Sequence, residues 1–503
     1  MEKCVFVYIQ AYNAEKVLHR SIESILSQTH DDFICWICNN GSNDKTMEII
    51  ERYALYDRRI IPFSNERNDI HFLIKRFLPL LLNNYGNDGG WFCNLDADDE
   101  YAPDFFKKIL VFIEEHNLEV AACGHDFIDA PTNRFLGTRK LEQNLIVEGD
   151  GFNEHFPLYH QFMRTVWGKM YSLSVLRRCN FENKKSIIYG SDTLFAVEAF
   201  RNASRVGVLA ESLHKYYMYP KSVSQQFDDK RIASDPILFD NACDFLLSKC
   251  GAVSHENLNF LFHVYLNAIQ DTMKVLLNAQ LSVTDKLYRL QDIFQSQQTQ
   301  KLAQWTGGAE EQKKMLFGQV AQWILSQEEV RSGTGMELAA EMLATMGIYP
   351  TQIGGWQDSG VFLLLAKIKD RRMEMGIADA QIVSSTSKSP LLAGLDAGFL
   401  IFFRDIVFSI LQQEEEKALR QIEDKIAQGT DIPVEYIEAF LILGLNLSAK
   451  LEYTDDYIYF KKLQISLLID LSRTDEARDE LADWDEILPN DTDFIELRKR
   501  LTQ

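Results

Sequence analysis

The N-terminal part of the chain alternates between short apolar runs and longer stretches in which apolar residues recur every three or four positions. The short runs, rich in β-branched and aromatic residues, predict buried strands at residues 5–9, 33–38, 60–63 and 91–93. The helical spacing between them predicts amphipathic helices at residues 15–28 and 47–55. Strands that alternate with helices are typical of a parallel sheet covered on its faces.

Polar segments end three of the predicted strands. They are residues 10–13 (Q-A-Y-N), 39–44 (N-N-G-S-N-D) and 96–99 (D-A-D-D). Open parallel sheets bind ligands in the crevice at the carboxyl ends of their strands. We therefore expect the three segments to converge on one ligand-binding crevice.

The most strongly charged of these segments lies within residues 94–100, N-L-D-A-D-D-E. Neighbouring carboxylates repel one another unless a cation lies between them. A hard divalent ion such as Mg²⁺ or Mn²⁺ prefers oxygen ligands and leaves coordination positions for phosphate. The cluster therefore predicts a divalent metal that binds a diphosphate. A solvated turn is the alternative, because 73 of the 503 residues are Asp or Glu.

These segments resemble the family 2 glycosyltransferases of the GT-A fold, which carry similar motifs in the same order. The matching residues are Tyr12-Asn13-Ala14-Glu15, Ser24-Ile25-Leu26-Ser27-Gln28-Thr29, Asn39-Asn40-Gly41-Ser42-Asn43-Asp44-Lys45-Thr46 and Asp96-Ala97-Asp98, then Tyr101 and Pro103-Asp104. The resemblance covers residues 3–225. It implies an α/β N-terminal domain with a Rossmann-like, mostly parallel sheet flanked by helices. It also implies transfer of a sugar from a nucleotide-sugar, with a UDP-sugar favoured.

The resemblance implies roles for the residues on the donor side. Asp98 would bind the metal, and Asp96 would contact the ribose or reach the metal through water. The residues expected to bind the nucleotide-sugar are Gln10, Ala11, Tyr12, Asn13, Glu15, Asn39, Arg67, Asp96, Ala97 and Asp98.

Two departures from the family affect this donor site. Asn39-Asn40 replaces the usual acidic pair, and an Asn amide both donates and accepts hydrogen bonds, so the choice of base stays open. The usual basic motif is also replaced, which leaves Arg67, Lys75 and Arg76 as candidates for the diphosphate. The alternative for each of the three is a solvated surface.

The resemblance also implies an inverting reaction with a carboxylate base that takes the acceptor proton. Residues 189–195, Y-G-S-D-T-L-F, resemble the family motif Glu-Asp-x-x-Phe, with Ser191 in place of Glu. Asp192 is therefore the expected base, and a helix N-cap is its alternative role. Trp167, Lys169 and Ser191 are expected on the acceptor side. His125 and His214 are weaker candidates to assist the metal, and residues 214–219 and 222–224 resemble the closing strand of the fold.

Composition restricts the partners and the compartment. The net charge of −21 and pI of about 5.0 argue against binding to nucleic acid or to anionic lipid. No signal peptide is expected, because residues 1–10 run directly into a predicted strand. No membrane span is expected, since the nearest apolar stretch, 399–411, is short and contains Arg404 and Asp405. The eight cysteines are scattered, and Cys35 and Cys38 point to opposite faces of one strand. We therefore expect a reduced, cytoplasmic protein.

Helical periodicity dominates after residue 232. It predicts helices at 239–247, 258–277, 285–294, 310–325 and 337–346, and more towards the end. Ala477, Leu481, Trp484 and Pro489 match the second half of a tetratricopeptide repeat. The predicted domains are a GT-A domain (1–232), a helical domain (233–390) and a tetratricopeptide-like domain (391–503), the last two built as stacked helical hairpins.

This architecture leaves the acceptor and the oligomeric state open. Stacked hairpins offer a concave surface for an extended peptide, which favours a protein or a protein-linked glycan as acceptor. One alternative is a soluble polysaccharide glycosyltransferase whose helical region forms a homodimer. Another is a non-catalytic adaptor that binds a nucleotide-sugar or a partner protein.

Overall fold

The computed structural model describes residues 4–86, 89–181, 187, 189–219, 227–348, 360–376, 405–406, 409–410, 414–428 and 434–502. The chain forms two compact units. The first contains Met1–Ala279 and Gly307–Ala309, and the second contains Gln280–Thr306 and Glu310–Gln503. The domain boundaries at residues 232 and 390 stay predictions, and residue 390 lies outside the described residues.

The first unit is built on a mixed sheet. In the described residues its strands are β1 (Val5–Ala11), β2 (Phe33–Asn40), β3 (Ile60–Asn65), β4 (Trp91–Asp96), β5 (Glu100–Tyr101), β6 (Val120–Asp129), β7 (Arg134–Arg139), β8 (Leu145–Glu148), β9 (Lys169–Ser172) and β10 (Arg205–Met218). The spatial order is β3-β2-β1-β4-β9-β6-β10-β5, with β7 paired to β6 and β8 paired to β10. This is the curled α/β sheet expected of the GT-A fold.

The contiguous strands β3, β2, β1 and β4 are parallel to one another. Their apolar residues face helices on the sheet surface, and Val5, Val7 and Ile9 of the central strand are completely buried. In register, Ala11 lies opposite Asn39 and Gln10 lies opposite Asp96. The three polar segments therefore meet at one edge of the sheet, as the sequence predicted.

The other half of the sheet is largely antiparallel, which the strand-and-helix pattern did not predict. β9 runs antiparallel to both β4 and β6, and so joins the two halves. β10 is parallel to β6 but antiparallel to β5 and β8. Residues 214–218 of the predicted closing strand lie within β10, while residues 222–224 lie outside the described residues.

Helices cover the faces of this sheet. They are α1 (Leu18–Leu26), α2 (Thr46–Tyr56), α3 (Leu78–Tyr85), α4 (Phe105–His116), α5 (Gly151–Glu154), α6 (Phe156–Tyr159), α7 (Leu173–Arg178), α8 (Ser191–Asn202), α9 (Lys230–Cys250) and α10 (His255–Asn278). A π-helix (Leu73–Phe77) precedes α3, and a 3-10 helix (His160–Met163) follows α6. The apolar stripe of α1 is buried against the sheet at Leu18, Ile22 and Ile25, where each such side chain contributes about 1.5–3 kcal/mol.

The described part of the second unit is helical. Its helices are α11 (Val283–Gln295), α12 (Gln297–Gln304), α13 (Glu310–Leu325), α14 (Gly333–Met346), α15 (Gly360–Glu374), α16 (Glu415–Ala427), α17 (Val434–Lys450), α18 (Thr454–Asp470), α19 (Thr474–Ile487) and α20 (Thr492–Leu501), with a 3-10 helix at Glu328–Arg331. Consecutive helices from α16 to α20 pack on one another, and the predicted all-helical C-terminal region is confirmed within the described residues.

Two further observations concern membrane crossing and the cysteines. In the described ranges, none of the helices combines the length and the apolar character that a bilayer crossing requires. No disulfide joins any of the eight cysteines, which all lie in the described residues. The cytoplasmic location stays a prediction.

Candidate active site

Hydrogen bonds join the turns that follow β1 and β2. Asn13 adopts a φ of 50°, in the left-handed region that Asn enters more readily than most residues. Its backbone N–H donates to Ser42 Oγ (3.0 Å), and its Oδ1 accepts from the Asn43 N–H (2.9 Å). Glu15 Oε2 accepts from the Lys45 N–H at 3.2 Å. Asn13 and Glu15 therefore fix the shape of the predicted donor site.

The other residues of the first turn differ in exposure. Gln10 is half-buried: its Oε1 accepts from the Tyr8 hydroxyl (3.0 Å), and its Nε2 donates to the Asp69 carbonyl (3.3 Å). Ala11 is completely buried, whereas Tyr12 is 45% exposed. Tyr12 is thus the side chain of this turn that a flat ligand can reach.

Asn39 and Asn40 have different surroundings. Asn40 Nδ2 donates to Asn68 Oδ1 (2.8 Å), and Asn40 Oδ1 accepts from Asn65 Nδ2 (3.1 Å). Asn39 Oδ1 accepts from the Ser42 N–H at 3.1 Å. Among the described residues no acceptor lies at Asn39 Nδ2. Asn40 is therefore structural, and Asn39 keeps N–H donors that the usual carboxylate would lack.

Gly41 permits a close approach between two loops. Its φ is +78°, a conformation that glycine adopts without strain, and a Cβ there would lie 2.8 Å from the Arg67 carbonyl carbon. The Arg67 side chain is exposed, and its contact with a diphosphate stays a prediction. Lys75 forms an ion pair with Asp69 at 3.1 Å.

The acidic segment follows β4 directly. Asp96 is the last residue of the strand, and its Oδ1 accepts from Asn94 Nδ2 at 3.2 Å. Ala97 is buried, Asp98 is half-buried, and Asp99 is completely buried. Asp96 and Asp98 are therefore the two carboxylates of the D-A-D motif that remain open to a ligand.

Asp99 ties this segment to β10. Its Oδ1 accepts from the Tyr217 N–H at 2.9 Å, and its Oδ2 lies 3.2 Å from His214 Nε2. Burial lowers the pKa of His214 to about 3. His214 also stacks on Trp167, with ring centroids 4.4 Å apart. These contacts favour a structural role for His214 over a role as metal ligand.

Arg20 is a residue of the site that the sequence analysis missed. Its guanidinium donates to the Asp98 carbonyl and to the Tyr219 hydroxyl, the latter at 3.2 Å. It lies 3.5 Å from the centroid of the Tyr217 ring and 3.6 Å from a Glu100 carboxylate oxygen. Arg20 therefore fixes the backbone of the D-A-D motif. In the sequence, an arginine with this role on an amphipathic helix has the same pattern as an ordinary solvated arginine.

The electrostatics of the cluster fit a bound cation. Burial raises the pKa of Asp96 well above its usual range, and the charges of Asp99, Asp192 and Asp98 raise it further. Burial also raises the pKa of Asp98. In the described ranges, no group of three or more His, Cys, Asp or Glu side chains is arranged to hold a metal. Asp96 and Asp98 fit a hard divalent cation that takes its other ligands from water and phosphate.

Asp192 lies in the first turn of α8. The helix begins at Ser191, and its N-cap is Gly190 with a φ of 83°. In the described structure no side chain caps this helix, so neither Asp192 nor Ser191 acts as the N-cap. Asp192 is accessible to solvent, but surrounding protein limits the hydration of its carboxylate and raises its pKa, while the charge of Lys169 lowers it.

An aromatic wall adjoins these carboxylates. Trp167 is buried and stacks on Tyr216, with centroids 5.4 Å apart and an interplanar angle of 18°. The His125 ring meets Trp167 edge-on at 4.9 Å. Tyr216 is close enough to feel the charges of Asp99, Asp96, Asp98 and Asp192, which with burial raise its pKa to about 12. The predicted acceptor side thus has flat aromatic groups beside the carboxylates.

Lys169 has a mainly structural environment. It is 2% exposed, and its Nζ donates to the Thr165 carbonyl (2.8 Å), Thr165 Oγ1 (2.9 Å) and the Trp167 carbonyl (2.9 Å). Burial lowers its pKa to about 7. Lys169 therefore holds the loop that carries Trp167, and its contact with the acceptor stays a prediction.

Comparison with known proteins identifies the family of the N-terminal part of the chain. Residues 6–178 match the family model described as glycosyl transferase family 2. The chain is 26% identical over 223 residues to the uncharacterized glycosyltransferase EpsJ of Bacillus subtilis, a match that covers 44% of this chain and 63% of EpsJ. It is 30% identical over 217 residues to an uncharacterized glycosyltransferase of Methanocaldococcus jannaschii, covering 42% of this chain and 70% of that protein.

Solved structures are also similar to this chain. S. aureus TarS, residues 1–349, aligns with 76% of this chain and 93% of its own, at 16% identity and a TM-score of 0.35. The mannosyltransferase PcManGT from Pyrobaculum calidifontis aligns with 56% of this chain and 76% of its own, at 12% identity and a TM-score of 0.33. The chain spans less than two thirds of the length of EpsJ but more than two thirds of the M. jannaschii protein. From the family model and the M. jannaschii relative together, the chain belongs to glycosyl transferase family 2.

Proposed function

We propose that this protein is an inverting, metal-dependent glycosyltransferase that moves a sugar from a nucleotide-sugar, preferably a UDP-sugar, to an acceptor hydroxyl. The observation that carries the proposal is the meeting of three strand ends, at residues 10–13, 39–44 and 96–99, with Asp192 beside them. Membership of family 2 supports the same reaction class.

The proposed reaction is a single displacement. The acceptor oxygen bonds to the anomeric carbon as the bond from that carbon to the diphosphate oxygen breaks, and Asp192 takes the acceptor proton. Asp96 and Asp98 would hold Mn²⁺ or Mg²⁺. When bound, such an ion supplies positive charge that stabilises the departing diphosphate. Tyr216, which is half-buried and stacked on Trp167, would be the aromatic group for a sugar ring.

The proposal for the acceptor rests on the helix packing of the second unit. Ala477 and Leu481, two of the residues that match a tetratricopeptide repeat, are buried, and Trp484 stacks on Phe494 at 5.2 Å. These contacts support a helical-repeat packing of α18 to α20. We propose that this unit binds the acceptor, which is a protein or a protein-linked glycan. The alternative is that the same helices form a homodimer.

A donor screen tests the reaction class. The purified protein is incubated with UDP-, GDP-, dTDP- and CMP-sugars, with Mn²⁺ or with EDTA, and release of the nucleotide is measured. We expect metal-dependent hydrolysis of one donor, most strongly the UDP-sugar. A folded protein that neither binds nor hydrolyses any donor would instead support the adaptor function.

Asp98→Asn and Asp192→Asn separate the two carboxylate roles. Asp192→Asn should lower hydrolysis by about 10²–10⁴-fold because the proton acceptor is lost, without changing the Mn²⁺ concentration for half-maximal activity. Asp98→Asn should raise that Mn²⁺ concentration by about tenfold or more because a ligand is lost. Asp31→Asn, at a side chain 94% exposed, is the matched control. Wild-type activity in either site variant would refute its assigned role.

A further inference from the structure

A small cavity lies among the helices of the first unit, next to the helix that carries Asp192. Its volume is about 80 Å³. Thr193 and Val197 of α8 line it, together with residues of α9 and α10 and with His160 of the 3-10 helix. Much of the remaining wall is apolar and includes Leu238, Phe239, Ala242, Leu261 and Val264. The cavity therefore combines an apolar wall with a few polar groups, as small-molecule sites do.

Two of the polar side chains can accept hydrogen bonds from a ligand. Thr193 Oγ1 donates its proton to the Arg164 carbonyl at 2.9 Å, which leaves its lone pairs as acceptors. Asp235 Oδ2 accepts from Thr272 Oγ1 at 2.8 Å. Within the described residues, no donor reaches Asp235 Oδ1. Both side chains thus keep acceptor capacity that the protein does not use.

His160 supplies a third acceptor. The residue is 6% exposed, and its ring contacts those of Phe156 and Phe260, with centroids 5.1 Å and 5.3 Å away. In the described ranges, neither ring nitrogen has a hydrogen-bond partner. Burial lowers its pKa to about 3, so the ring is neutral at neutral pH and one nitrogen carries a lone pair. A buried polar group without a partner is costly, which indicates a partner that the fold itself does not supply.

Asp235 gives the cavity a negative charge. Burial raises its pKa to about 6, so that the carboxyl is ionised at neutral pH at the expense of hydration. Arg231 and Arg164 favour the charged form. Among the described residues, however, no basic nitrogen lies within 4.0 Å of the carboxylate oxygens. The Arg164 side chain is exposed, so water and salt screen its charge. The carboxylate thus lacks a direct counter-ion.

These groups are complementary to an organic ammonium ion. A primary ammonium has three N–H donors and no acceptor, and the cavity offers acceptors on Asp235, Thr193 and His160. Its charge would form a charge-assisted hydrogen bond with Asp235, whereas the same carboxylate would repel an anion. An apolar cavity of about 150 Å³ holds benzene, so a cavity of about 80 Å³ suits a ligand of about four or five heavy atoms.

We propose that this cavity binds a small aliphatic primary amine in its ammonium form, with the nitrogen at Asp235 and the alkyl group on the apolar wall. Through Thr193 and Val197 the ligand would contact the helix that carries Asp192. The inference goes beyond the proposed function and does not depend on it. Water is the alternative occupant, because a cavity with several polar partners can hold ordered water.

Three probes with the same branched alkyl group test the chemistry of the site. Isobutylamine is a cation at neutral pH, isobutanol is neutral, and isobutyrate is an anion. Each is titrated into the full chain in EDTA, and the half-saturating concentration is measured by ligand-observed NMR. We expect isobutylamine to bind about tenfold or more tightly than either of the others. Equal binding of the amine and the alcohol, tighter binding of isobutyrate, or binding of none of the three would overturn the proposal.

Variants distinguish the cavity from the acidic surface of a chain whose net charge is −21. Asp235→Asn keeps an oxygen for the Thr272 hydroxyl and removes the charge. It should raise the half-saturating concentration of isobutylamine by about tenfold or more and change that of isobutanol by less than about threefold. Asp244→Asn, at an exposed acid on the same helix, should leave both values unchanged. Wild-type binding of isobutylamine by Asp235→Asn would refute the site.

A cavity-filling variant tests the position of the alkyl group. Ala268→Leu enlarges an apolar side chain of α10 that lines the cavity. It should weaken the binding of isobutylamine and isobutanol alike, by about tenfold or more, because the added carbons occupy the space of the ligand. Near-UV circular dichroism verifies its fold, and the Asp235→Asn result decides the proposal if the fold is lost. Wild-type binding by folded Ala268→Leu would place the amine elsewhere and refute the cavity as its site.

These measurements need neither a nucleotide-sugar nor a metal ion. A protein that binds isobutylamine through Asp235 but hydrolyses no donor would refute the proposed reaction alone. A protein that hydrolyses a donor but does not distinguish isobutylamine from isobutanol would refute the amine site alone.

Discussion

Asp235 is a half-buried acid of the first unit. It lies on α9 and, with His160, lines a cavity of about 80 Å³. Its Oδ2 accepts from Thr272 Oγ1 at 2.8 Å. Burial raises its pKa from 3.8 to about 6, although Thr272, Arg231 and Arg164 favour the charged form. At neutral pH the fold therefore holds a carboxylate in a site that disfavours its charge.

Asp235→Asn should stabilise the protein, and more so at higher pH. The folded state binds the proton below pH about 6 and the unfolded chain only below 3.8, so the free energy of unfolding falls as pH rises through this window. The amide of the variant keeps an oxygen that accepts from the Thr272 hydroxyl, and it removes the loss of stability that ionisation of the carboxyl causes. We expect a gain about 1 kcal/mol larger at pH 7.5 than at pH 5.0, measured by urea denaturation. Asp244→Asn, an exposed acid on α9, is the control, and a gain independent of pH would contradict the prediction.

Individual residues differed in how far the sequence could predict their environment. The Asp96–Asp98 pair and Asp192 follow directly from motif order, because the local chain brings each to the end of a strand or the start of a helix. Arg20 could not be found, since its partner Tyr219 lies 199 positions away along the chain and its side chain resembles an ordinary surface cation. A motif assigned Lys169 to the acceptor side, but its three hydrogen-bond acceptors could be identified only in the folded loop.

At the scale of elements, α9 packs against the N-terminus of the helix that carries Asp192. Gly190 has a φ of +83°, and a Cβ there would lie 2.6 Å from Leu238 Cδ1 of α9. Glycine is therefore required twice, for the backbone conformation and for the close approach of Leu238. The position of Asp192 depends on a helix that lies beyond the predicted boundary at residue 232.

Gly190→Ala should destabilise the protein by about 2–3 kcal/mol and lower donor hydrolysis, since strain and a clash with Leu238 both act on α8. Gly251→Ala is a matched control, because its φ is +74° and no atom lies within 4 Å of the added Cβ; it should cost about 1 kcal/mol from strain alone. Leu238→Ala should recover part of the loss in the double variant. Chemical denaturation measures this coupling, and strictly additive effects would contradict the contact.

The first strands and helices were predictable because their apolar spacing is local. The positions of β9 and β10 in the sheet were not predictable. β9 pairs antiparallel with both β4 and β6, and these pairings join segments that lie far apart in the chain. α1 is also shorter than predicted, since the backbone of residues 13–15 hydrogen-bonds to the turn after β2 before the helix begins at Leu18.

At the scale of the molecule, the chain divides into two compact units, and a buried apolar cluster lies within each of them. In the second unit, Ile465, Leu481, Phe494 and Leu497 form a buried cluster, and Trp484 stacks on Phe494 with an interplanar angle of 13°. A chain of two compact units favours more than one unfolding transition, in contrast to a single small domain.

Phe494→Ala should lower the stability of the second unit by about 3–5 kcal/mol, because a fully buried ring is removed from its core. Metal-dependent donor hydrolysis should stay at the wild-type level. Thermal unfolding should show one transition moved to lower temperature and another unchanged. Ile487→Ala, at a side chain 61% exposed, is the control. Loss of hydrolysis in step with that transition would show that the units unfold together.

The order of the sheet also has a consequence for descent within the family. In the proposed function, the segments assigned to the donor end at Asp99, whereas the base and the aromatic wall come after Val120. Donor and acceptor recognition would then occupy successive stretches of the gene. Selection can replace the later stretch, and with it the acceptor, while the earlier one is inherited unchanged. Lineages that share a donor and differ in the molecule they decorate are the expected outcome.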